Sequence, residues 1–469
     1  MRNRKKRNKK NREFTRITWA FVILFLLLMA YIVYYNMVKA KDIVSSPYNA
    51  RQNAFEDQVV RGTIYDHFGN VLAETKGPDE KRVYPYGEIF AQTVGYNSNG
   101  RSGLEAKLNP YLLTSNAFIL ERMKNDFRDD KNAGDSVVTT LDAGLQEVAY
   151  KALGNQKGAV FIMDATTGKI RVAVSKPSYD PNTLLENWST LNSDSENSPL
   201  LNRAFQGLYP PGSTFKIVTT LEYLRETGDA YTYDCKSVIN YKNLSIHCAG
   251  NVAHGHEDLK ACFYNSCNCG FCHMALGLKR TAYRATAEGL LFNKDLPLAL
   301  PYSKSRFQIN RDSSDGELMM TAMGQGKTLV SPYHMGLIVD AVANNGQLMT
   351  PYFVEKIENN RGDEIKTQLP KVYKELLTAE EAGKLKTYMR SVVTDGTAKS
   401  LNSDLYEAAG KTGTAEYSSD TSRVHSWFTG FTNMEHPDLV VSCIVEEADQ
   451  SGVTATGVVK QILDYYYTR

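Results

Sequence analysis

Residues 158–175 read GAVFIMDATTGKIRVAVS, and they predict a β-hairpin. A continuous apolar run precedes a Thr-Thr-Gly-Lys turn, and alternating apolar and polar residues follow it, which is the pattern of two strands joined by a short turn. Three runs near the C-terminus also predict strands: KTGTAEY (411–417), HSWFTGFT (425–432) and LVVSCIVEE (439–447). Because these runs lie at both ends of a region with helical patterns between them, we expect an α/β or α+β domain whose sheet joins distant parts of the chain.

The helical patterns in and around this region are amphipathic. Apolar residues recur with helical spacing over 213–226 and 258–277, and again in the last residues, 457–468. On the N-terminal side, VVTTLDAGLQEVAYKAL (137–153) predicts the end of a strand followed by a helix. Further upstream, RGTIYDHFGNVLAET (61–75) predicts a second hairpin with its turn at residues 67–70. We therefore expect a smaller N-terminal domain over residues 39–140 and a larger domain over residues 141–469.

The N-terminus predicts a membrane anchor. Residues 1–16 form a basic arm with nine Lys or Arg and one Glu, and residues 17–38 have no charged side chain. About 20 apolar residues are enough to cross a bilayer as a helix. The positive-inside rule then places the arm in the cytoplasm and residues 40–469 outside the membrane. A cleavable signal peptide is the alternative, but its apolar region is usually shorter, about 7–15 residues.

Length and charge narrow the class of protein. The 469 residues fit two to four domains. The net charge of +2 comes from the basic arm, because the remaining residues contain 45 basic and 51 acidic side chains and carry −6. A mildly acidic body argues against a general nucleic-acid-binding protein.

Seven cysteines are compatible with a location outside the membrane. Cys235 and Cys248 flank a short polar segment, so a disulfide between them is one interpretation. Four more fall in the segment predicted to be one helix, Cys262, Cys267, Cys269 and Cys272, with four histidines nearby, at 247, 254, 256 and 273. A zinc site is one interpretation, but C-x-C-x-x-C on a helix is not a usual zinc-ligand spacing, so buried or paired thiols are expected. Cys443 lies in an apolar strand pattern and is expected in the core.

A serine and a lysine three residues apart stand at the start of one predicted helix. Ser213 and Lys216 form S-x-x-K, after a turn that Pro210, Pro211 and Gly212 impose. One interpretation is an ordinary helix start with Ser213 as its N-cap. The other is a nucleophile and its base, because residues i and i+3 share one helix face. A lysine can act as a base only if burial or a second cation lowers its pKa.

Two further motifs supply candidate partners for this pair. Residues 411–414 (KTGT) open a predicted strand, where Lys411 is a candidate second cation and Gly413 leaves room for a substrate backbone along the strand edge. Residues 266–268 (Ser-Cys-Asn) form S-x-N. Taken alone, the first motif is typical of a strand with a glycine bulge and the second of polar residues in a core cavity. The order S-x-x-K, S-x-N, K-T-G is the pattern of serine β-lactamases and penicillin-binding proteins.

The chain resembles the class B penicillin-binding proteins, monofunctional D,D-transpeptidases of peptidoglycan synthesis. Besides the three motifs, the resemblance covers most of residues 45–469 and includes two sets of matching segments. The N-terminal set is YNARQ (48–52), RGTIYDHFGN (61–70) and GLE (103–105). The second set is NRAFQGLYPPGSTFK (202–216), HG (254–255), GQG (324–326), SPYHM (331–335), ANNG (343–346) and HSWFTGF (425–431). The resemblance implies a central antiparallel sheet flanked by helices and an N-terminal pedestal domain.

The resemblance also implies roles for the residues of these motifs. Ser213 would attack the penultimate D-Ala carbonyl of a stem pentapeptide, Lys216 would take its proton, and Ser266 with Lys411 would pass a proton to the departing D-Ala. Asn268 and the segment Thr412, Gly413 and Thr414 would bind the substrate, with the backbone N–H groups of Ser213 and Thr414 as oxyanion hole. No metal or cofactor would be needed. β-Lactams would acylate the same serine.

Partners and alternatives follow from the same resemblance. The acyl group would pass to an amine of a second stem peptide, and the glycan strands would come from a membrane polymerase of the shape, elongation, division and sporulation type. The location would be the bacterial cell membrane. A β-lactamase, a D,D-carboxypeptidase and a β-lactam sensor or scaffold remain alternatives. A bifunctional class A enzyme is disfavoured because about 105 residues between Lys39 and the larger domain are too few for a glycosyltransferase domain.

Overall fold

The computed structural model describes residues 2–35, 59–77, 79–417 and 423–469. Its first element is the helix Arg2–Tyr34. Within the described residues this is the one helix that is long and apolar enough to cross a membrane, with a mean hydropathy of 2.4 over Phe14–Tyr34. The helix includes the backbone of the basic arm because Lys and Arg are good helix formers. The last residues of the predicted span, 36–38, and the motif at 48–52 lie outside the described residues.

Strands and helices alternate through the rest of the described chain. The strands are β1 (Val59–Val60), β2 (Ile64–Tyr65), β3 (Val71–Lys76), β4 (Lys81–Val83), β5 (Asn132–Ala133), β6 (Ser136–Thr139), β7 (Gly158–Asp164), β8 (Ile170–Lys176), β9 (Thr232–Cys235), β10 (Val238–Tyr241), β11 (Leu244–His247), β12 (Gly255–Asp258), β13 (Gln347–Met349), β14 (Val354–Glu358), β15 (Glu364–Thr367), β16 (Val372–Glu375), β17 (Ala408–Glu416), β18 (Val424–Thr432) and β19 (Leu439–Val445). The α-helices after the first are Ala91–Val94, Gly103–Lys107, Asn109–Leu112, Ile119–Arg128, Ala143–Ala152, Leu184–Ser193, Lys216–Thr227, Leu259–Tyr264, Asn268–Gly277, Arg280–Gly289, Asp315–Ala322, Pro332–Ala343, Ala379–Thr394 and Ala455–Thr468.

The central sheet has five antiparallel strands in the order β17-β18-β19-β7-β8. The hairpin predicted over 158–175 supplies β7 and β8, and the three predicted C-terminal strands supply the other three, so the expected joining of distant segments is confirmed. All seven residues of β19 are buried, as are the first six of β7. Such continuous burial is typical of strands that are covered on both faces.

Helices cover the central sheet. Pro332–Ala343 is buried along its whole length and packs against β7, β18 and β19. Ala143–Ala152 and Ala455–Thr468 pack against each other and against β8, β18 and β19. Cys443 lies fully buried in β19, as expected. The predicted fold class, a sheet flanked by helices, is confirmed.

A second sheet, in the order β15-β14-β6-β2-β3-β4, contains the N-terminal strands. The hairpin predicted over 61–75 is confirmed as β2 and β3, and its turn is stabilised by Asp66, whose Oδ1 accepts from the backbone N–H groups of Phe68 and Asn70. Strands β14 and β15 come from a later part of the chain than the other four. The second sheet therefore combines strands from the predicted N-terminal domain with strands from the predicted larger domain.

Two of the sequence motifs of the N-terminal region meet in a buried ion pair. Glu105, fully buried, accepts from Arg61 Nε at 2.7 Å and from Arg82 Nε at 2.7 Å. The two guanidinium groups hold the pKa of Glu105 below its ordinary value against the opposing effect of its burial. Removing one member of such a cluster leaves an uncompensated buried charge, so these residues hold the N-terminal region together.

Candidate active site

The turn at residues 209–212 is held on three sides. Tyr209 exchanges two backbone hydrogen bonds with Val330, of 3.0 and 2.9 Å. The indole Nε1 of Trp427 donates to the carbonyl of Pro210 at 3.1 Å, and the N–H of Gly212 donates to the carbonyl of Gly324 at 2.9 Å. The turn therefore connects the central sheet, through Trp427 on β18, with the loop that contains the GQG motif.

Ser213 is not the N-cap of a helix, so this interpretation of the sequence is wrong. It lies inside a single 3₁₀ turn, Gly212–Phe215, which continues directly into the helix Lys216–Thr227. No side chain caps either element; instead the Thr214 hydroxyl donates to the Pro211 carbonyl at 2.7 Å. Tighter 3₁₀ geometry is common at the start of an α-helix. Ser213 is the one partly exposed residue of its turn, and its neighbours are buried.

The segment 258–277 forms two helices rather than the single helix predicted. Leu259–Tyr264 and Asn268–Gly277 are separated at Ser266, whose φ of 57° lies in the left-handed region. This conformation costs a non-glycine residue roughly 1–2 kcal/mol. Cys267 is the N-cap of the second helix, and its Sγ accepts from the N–H of Gly270 at 3.3 Å. The break places Ser266 and Asn268 at the end of one helix and the start of another.

Both predicted lysines converge on Ser266. Lys216 Nζ donates to Ser266 O at 2.7 Å, to Ser266 Oγ at 3.2 Å and to Asn268 Oδ1 at 2.8 Å. Lys411 Nζ donates to Ser266 Oγ at 2.9 Å. Ser266 thus connects the S-x-x-K and KTGT motifs, although Lys216 and Lys411 are 195 residues apart along the chain. The Ser213 hydroxyl is not among the acceptors of Lys216, although the sequence places the two residues one turn apart.

Burial lowers the pKa of both lysines. The pKa of Lys216 falls to about 8. Burial, and then the positive charge of Lys216, lowers the pKa of Lys411 well below its ordinary value. Repulsion between two neighbouring ammonium groups acts on both of them, so the expectation that Lys411 helps to keep Lys216 neutral stays a prediction.

The KTGT residues alternate along β17. Thr414 is exposed, Thr412 is half-buried and shares a hydrogen bond with the Thr397 hydroxyl, and Gly413 is buried. A Cβ on Gly413 would approach Thr214 Cγ2 and Trp427 Cβ to 3.0 Å. The glycine therefore packs closely against the serine turn, and its place beside a substrate backbone stays a prediction. Among the described residues no strand pairs with the outer edge of β17, so that edge can accept an extended chain.

Sequence reasoning missed residues that hold the site from a distance. The backbone carbonyl of His247 accepts from Asn268 Nδ2 at 3.1 Å, and this fixes which side of the amide faces Lys216. Three cysteines and one histidine also lie together beside Ser266: Cys235, Cys248, His254 and Cys267. The sequence showed the cysteines but not this grouping, because the four residues come from three separate segments. The structure has every cysteine as a free thiol, including Cys235 and Cys248.

The site can support acyl transfer. The site combines a partly exposed hydroxyl before a helix, a pair of buried lysines with lowered pKa, and a strand edge that is open among the described residues. A serine becomes a nucleophile when a neighbouring base takes its proton, and burial is one means of making a lysine such a base.

Comparison with protein families gives two matches. The family described as "Penicillin binding protein transpeptidase domain" matches residues 158–464. The family described as "Penicillin binding protein A dimerisation domain" matches residues 61–137. The first match covers more than half of the chain.

Relatives and solved structures agree with these matches. Peptidoglycan D,D-transpeptidase PbpA of Mycolicibacterium smegmatis is 29% identical, over 95% of this chain and 96% of the relative. Peptidoglycan D,D-transpeptidase MrdA of Acinetobacter baumannii is 25% identical, over 82% of this chain and 66% of the relative. The structure of penicillin-binding protein A from M. tuberculosis as an imipenem acyl-enzyme complex matches with a TM-score of 0.78 and 27% identity, over 86% of this chain and 98% of that one.

Proposed function

This chain belongs to the class B penicillin-binding proteins, and from that premise we propose that it is a serine D,D-transpeptidase of peptidoglycan in which Ser213 carries the acyl group. The observation that supports this assignment of residues is the meeting of Lys216 and Lys411 at the Ser266 hydroxyl. It joins the three motifs into one proton-transfer network beside the partly exposed Ser213.

The proposed reaction has two halves. Ser213 Oγ attacks the carbonyl of the penultimate D-Ala and its proton passes to Lys216 Nζ. The bond to the terminal D-Ala nitrogen then breaks, and the Ser266 hydroxyl, which Lys216 and Lys411 both contact, gives the departing amine its proton and regains one from Lys216. In the second half, an amine of another stem peptide attacks the ester, its proton passes through the lysine network to Ser213 Oγ, and the serine hydroxyl is restored. A β-lactam opens by the same attack and stays bound as an ester.

Substrate binding uses the exposed side of the site. The edge of β17 pairs with the backbone of the stem peptide, and the Thr412 and Thr414 hydroxyl groups bind its terminal carboxylate. The side-chain amide of Asn268 binds the substrate amide. The backbone N–H groups of Ser213 and Thr414 stabilise the oxyanion, since donors placed where negative charge develops lower the barrier most.

A fluorescent penicillin tests this function on the full-length chain in detergent. We expect a covalent adduct on the peptide that contains Ser213, stable for many minutes. Release of D-Ala from a pentapeptide should rise when an acceptor amine is added, with a crosslinked product. Rapid loss of the label as hydrolysed penicillin would instead assign a β-lactamase, release of D-Ala to water alone a carboxypeptidase, and absence of any adduct would contradict serine acylation.

The rate of acylation should rise as Lys216 loses its proton. Burial lowers its pKa to about 8, and only the neutral amine can accept the Ser213 proton. The second-order rate constant for penicillin should therefore rise about tenfold per pH unit below pH 8 and level off above it. Stopped acylation reactions between pH 6 and pH 9.5 measure this profile, with tryptophan fluorescence at each pH as the control for folding. A flat profile would contradict the role of Lys216.

The GQG loop should control the position of the serine turn. Gly324 has a φ of 85°, and a Cβ there would overlap the Gly212 carbonyl, whereas a Cβ on Gly326, at φ 82°, would come no closer than 3.6 Å to Met320 Cβ. Both alanine variants pay a similar left-handed backbone strain of about 1–2 kcal/mol. Only Gly324→Ala should also displace Ser213, with a loss of about 100-fold in acylation rate. Equal acylation rates in the two variants would contradict this.

We also propose an arrangement in the cell. The helix Arg2–Tyr34 anchors the chain in the bacterial membrane, with the basic arm in the cytoplasm and residues 40–469 outside. A monofunctional transpeptidase needs glycan strands from another enzyme, so we propose contact with a membrane glycan polymerase of the shape, elongation, division and sporulation type through the span and the N-terminal domain. Co-purification that survives deletion of residues 1–60 would argue against the span as the contact.

A further inference from the structure

Four thiol and imidazole groups next to Ser266 are arranged as the ligands of one metal ion. We propose that Cys235, Cys248, His254 and Cys267 bind a structural Zn²⁺ that holds the Ser266–Asn268 turn in place. One ligand atom from each lies within 4.8 Å of all the others. The three cysteines are buried, with exposed fractions of 2%, 3% and 0%, and His254 is half-buried. This proposal replaces the expectation of a metal-free site.

Three of the six separations between these atoms match a tetrahedral zinc site. With Zn–S of about 2.3 Å and Zn–N of about 2.0 Å, tetrahedral geometry places two sulfurs about 3.8 Å apart and a sulfur and a nitrogen about 3.5 Å apart. Cys235 Sγ lies 3.6 Å from Cys248 Sγ and 3.5 Å from His254 Nδ1. Cys248 Sγ lies 3.8 Å from Cys267 Sγ. Three thiolates and one neutral imidazole are a usual donor set for structural zinc.

Neighbouring groups that could compete as ligands have other partners or do not reach all four atoms. Cys269 Sγ lies 3.4 Å from Cys248 Sγ, but it is not within 4.8 Å of every member of the group, and it donates to the Ile246 carbonyl at 3.7 Å. Glu257 accepts from Asn265 Nδ2 at 2.9 Å and from Cys262 Sγ at 3.6 Å. Its Oε2 lies 3.9 Å from His254 Nδ1, which is beyond hydrogen-bonding distance.

The fold brings the four donors together from three segments. In the antiparallel pair β9–β12, Gly255 is opposite Cys235, and this places His254 beside the end of β9. The N–H of Cys248 donates to the Ser237 carbonyl at 2.9 Å, which holds the chain after β11 against the chain after β9. Cys267 reaches the group from the break between two helices. A metal ion would link this small β region covalently to the turn that carries Ser266.

The location gives the ion a positioning role in catalysis. Cys267 is the middle residue of S-x-N, and its neighbours Ser266 and Asn268 are the acceptors of Lys216. Fixing Cys267 Sγ holds the strained left-handed backbone of Ser266 in the geometry that receives both lysines. This consequence rests on the proposed transpeptidase function, whereas the metal binding itself does not.

Metal content measured by mass spectrometry tests the binding directly. Full-length chain purified in detergent under reducing conditions with added Zn²⁺ and then dialysed should hold about one Zn²⁺ per molecule. Cys248→Ser and His254→Ala should lose it, with at least about 100-fold weaker affinity. Cys272→Ser is the matched control, because Cys272 is also fully buried but donates to the Met319 carbonyl at 3.6 Å, away from the cluster. It should keep about one Zn²⁺ per molecule.

A cobalt substitution and a chelator complete the test on the wild-type chain, so no variant has to fold. Co²⁺ should give the intense visible absorption of tetrahedral thiolate coordination. Removing zinc with a chelator should slow acylation by penicillin about tenfold or more, and added Zn²⁺, but not Mg²⁺, should restore it. Acylation that is unaffected by loss of a bound Zn²⁺ would remove only the positioning role.

Three results would overturn the metal site itself. They are no zinc in the wild-type chain above that of Cys248→Ser, equal zinc in wild type and both ligand variants, or a disulfide between Cys235 and Cys248 in freshly purified chain. None of these results depends on penicillin labelling, so a failure of the metal proposal and a failure of the proposed function are separately visible.

Discussion

Replacing Ser213 with alanine should abolish the covalent penicillin adduct and lower crosslinking by at least about 10⁴-fold. Its hydroxyl is at the one partly exposed position of the 3₁₀ turn Gly212–Phe215, whereas the hydroxyl of Thr214 in the same turn is buried. The contacts that hold the turn are made by its neighbours Tyr209, Pro210 and Gly212. The variant should therefore fold normally and lose only the nucleophile.

The adjacent residue offers a matched control. Thr214 also carries a hydroxyl, but it is buried and donates to the Pro211 carbonyl at 2.7 Å. Thr214→Val should cost about 1 kcal/mol of stability through the lost hydrogen bond and still form the adduct. Gel fluorescence after labelling, with thermal unfolding of each variant, measures both effects. A labelled Ser213→Ala chain, with the label on another residue, would refute Ser213 as the nucleophile.

Replacing Lys216 with methionine lowers the rate of acylation by about 10²–10⁴-fold, the usual contribution of a general base. Methionine keeps most of the buried volume but removes the amine that donates to Ser266 and Asn268. The steep dependence of the acylation rate on pH below pH 8 should also disappear, because the amine whose pKa is about 8 has been removed. That loss of slope separates a base from a residue that only supports the fold.

Lys386→Met is the control for removing a buried amine. Lys386 is also largely buried, burial lowers its pKa, and its Nζ donates to Asn345 Oδ1 at 2.9 Å. It lies in the helix Ala379–Thr394 and has no contact with Ser266 among the described residues. Its replacement should leave the rate and the pH profile of acylation unchanged. If Lys216→Met acylates within tenfold of the wild type with the same profile, another group is the base.

Much of the fold could be predicted from the sequence because strand patterns are local. The hairpins at 61–75 and 158–175, the three C-terminal strands and the last helix were all visible as runs of apolar and turn residues. The three motifs were visible because their order is specific. The candidate membrane span follows from composition alone, since about 20 consecutive apolar residues are enough to cross a bilayer as a helix.

The backbone at the two serines could not be predicted in the same way. A left-handed φ at Ser266 and a 3₁₀ turn at Ser213 leave no mark in residue type, since serine is compatible with several conformations. Long-range contacts decide both: the Gly324 carbonyl and the Trp427 indole hold the first turn, and the two lysines surround the Ser266 hydroxyl. The lowered pKa of both lysines depends on burial, which only the packed structure defines.

The sequence by itself determined the family, the central sheet and the order of the catalytic motifs, because these reside in local patterns of residues. Tertiary structure alone decided two other matters. Gly413 packs against Thr214, because the serine turn lies on β17. The four cysteines of segment 258–277 do not lie on one helix, because the chain breaks at Ser266. Cys267 lies beside Cys235, Cys248 and His254, because the antiparallel pairing of β9 with β12 brings these segments together. Ligand geometry is a property of distances in space, and spacing along a chain predicts it only when all the ligands share one element.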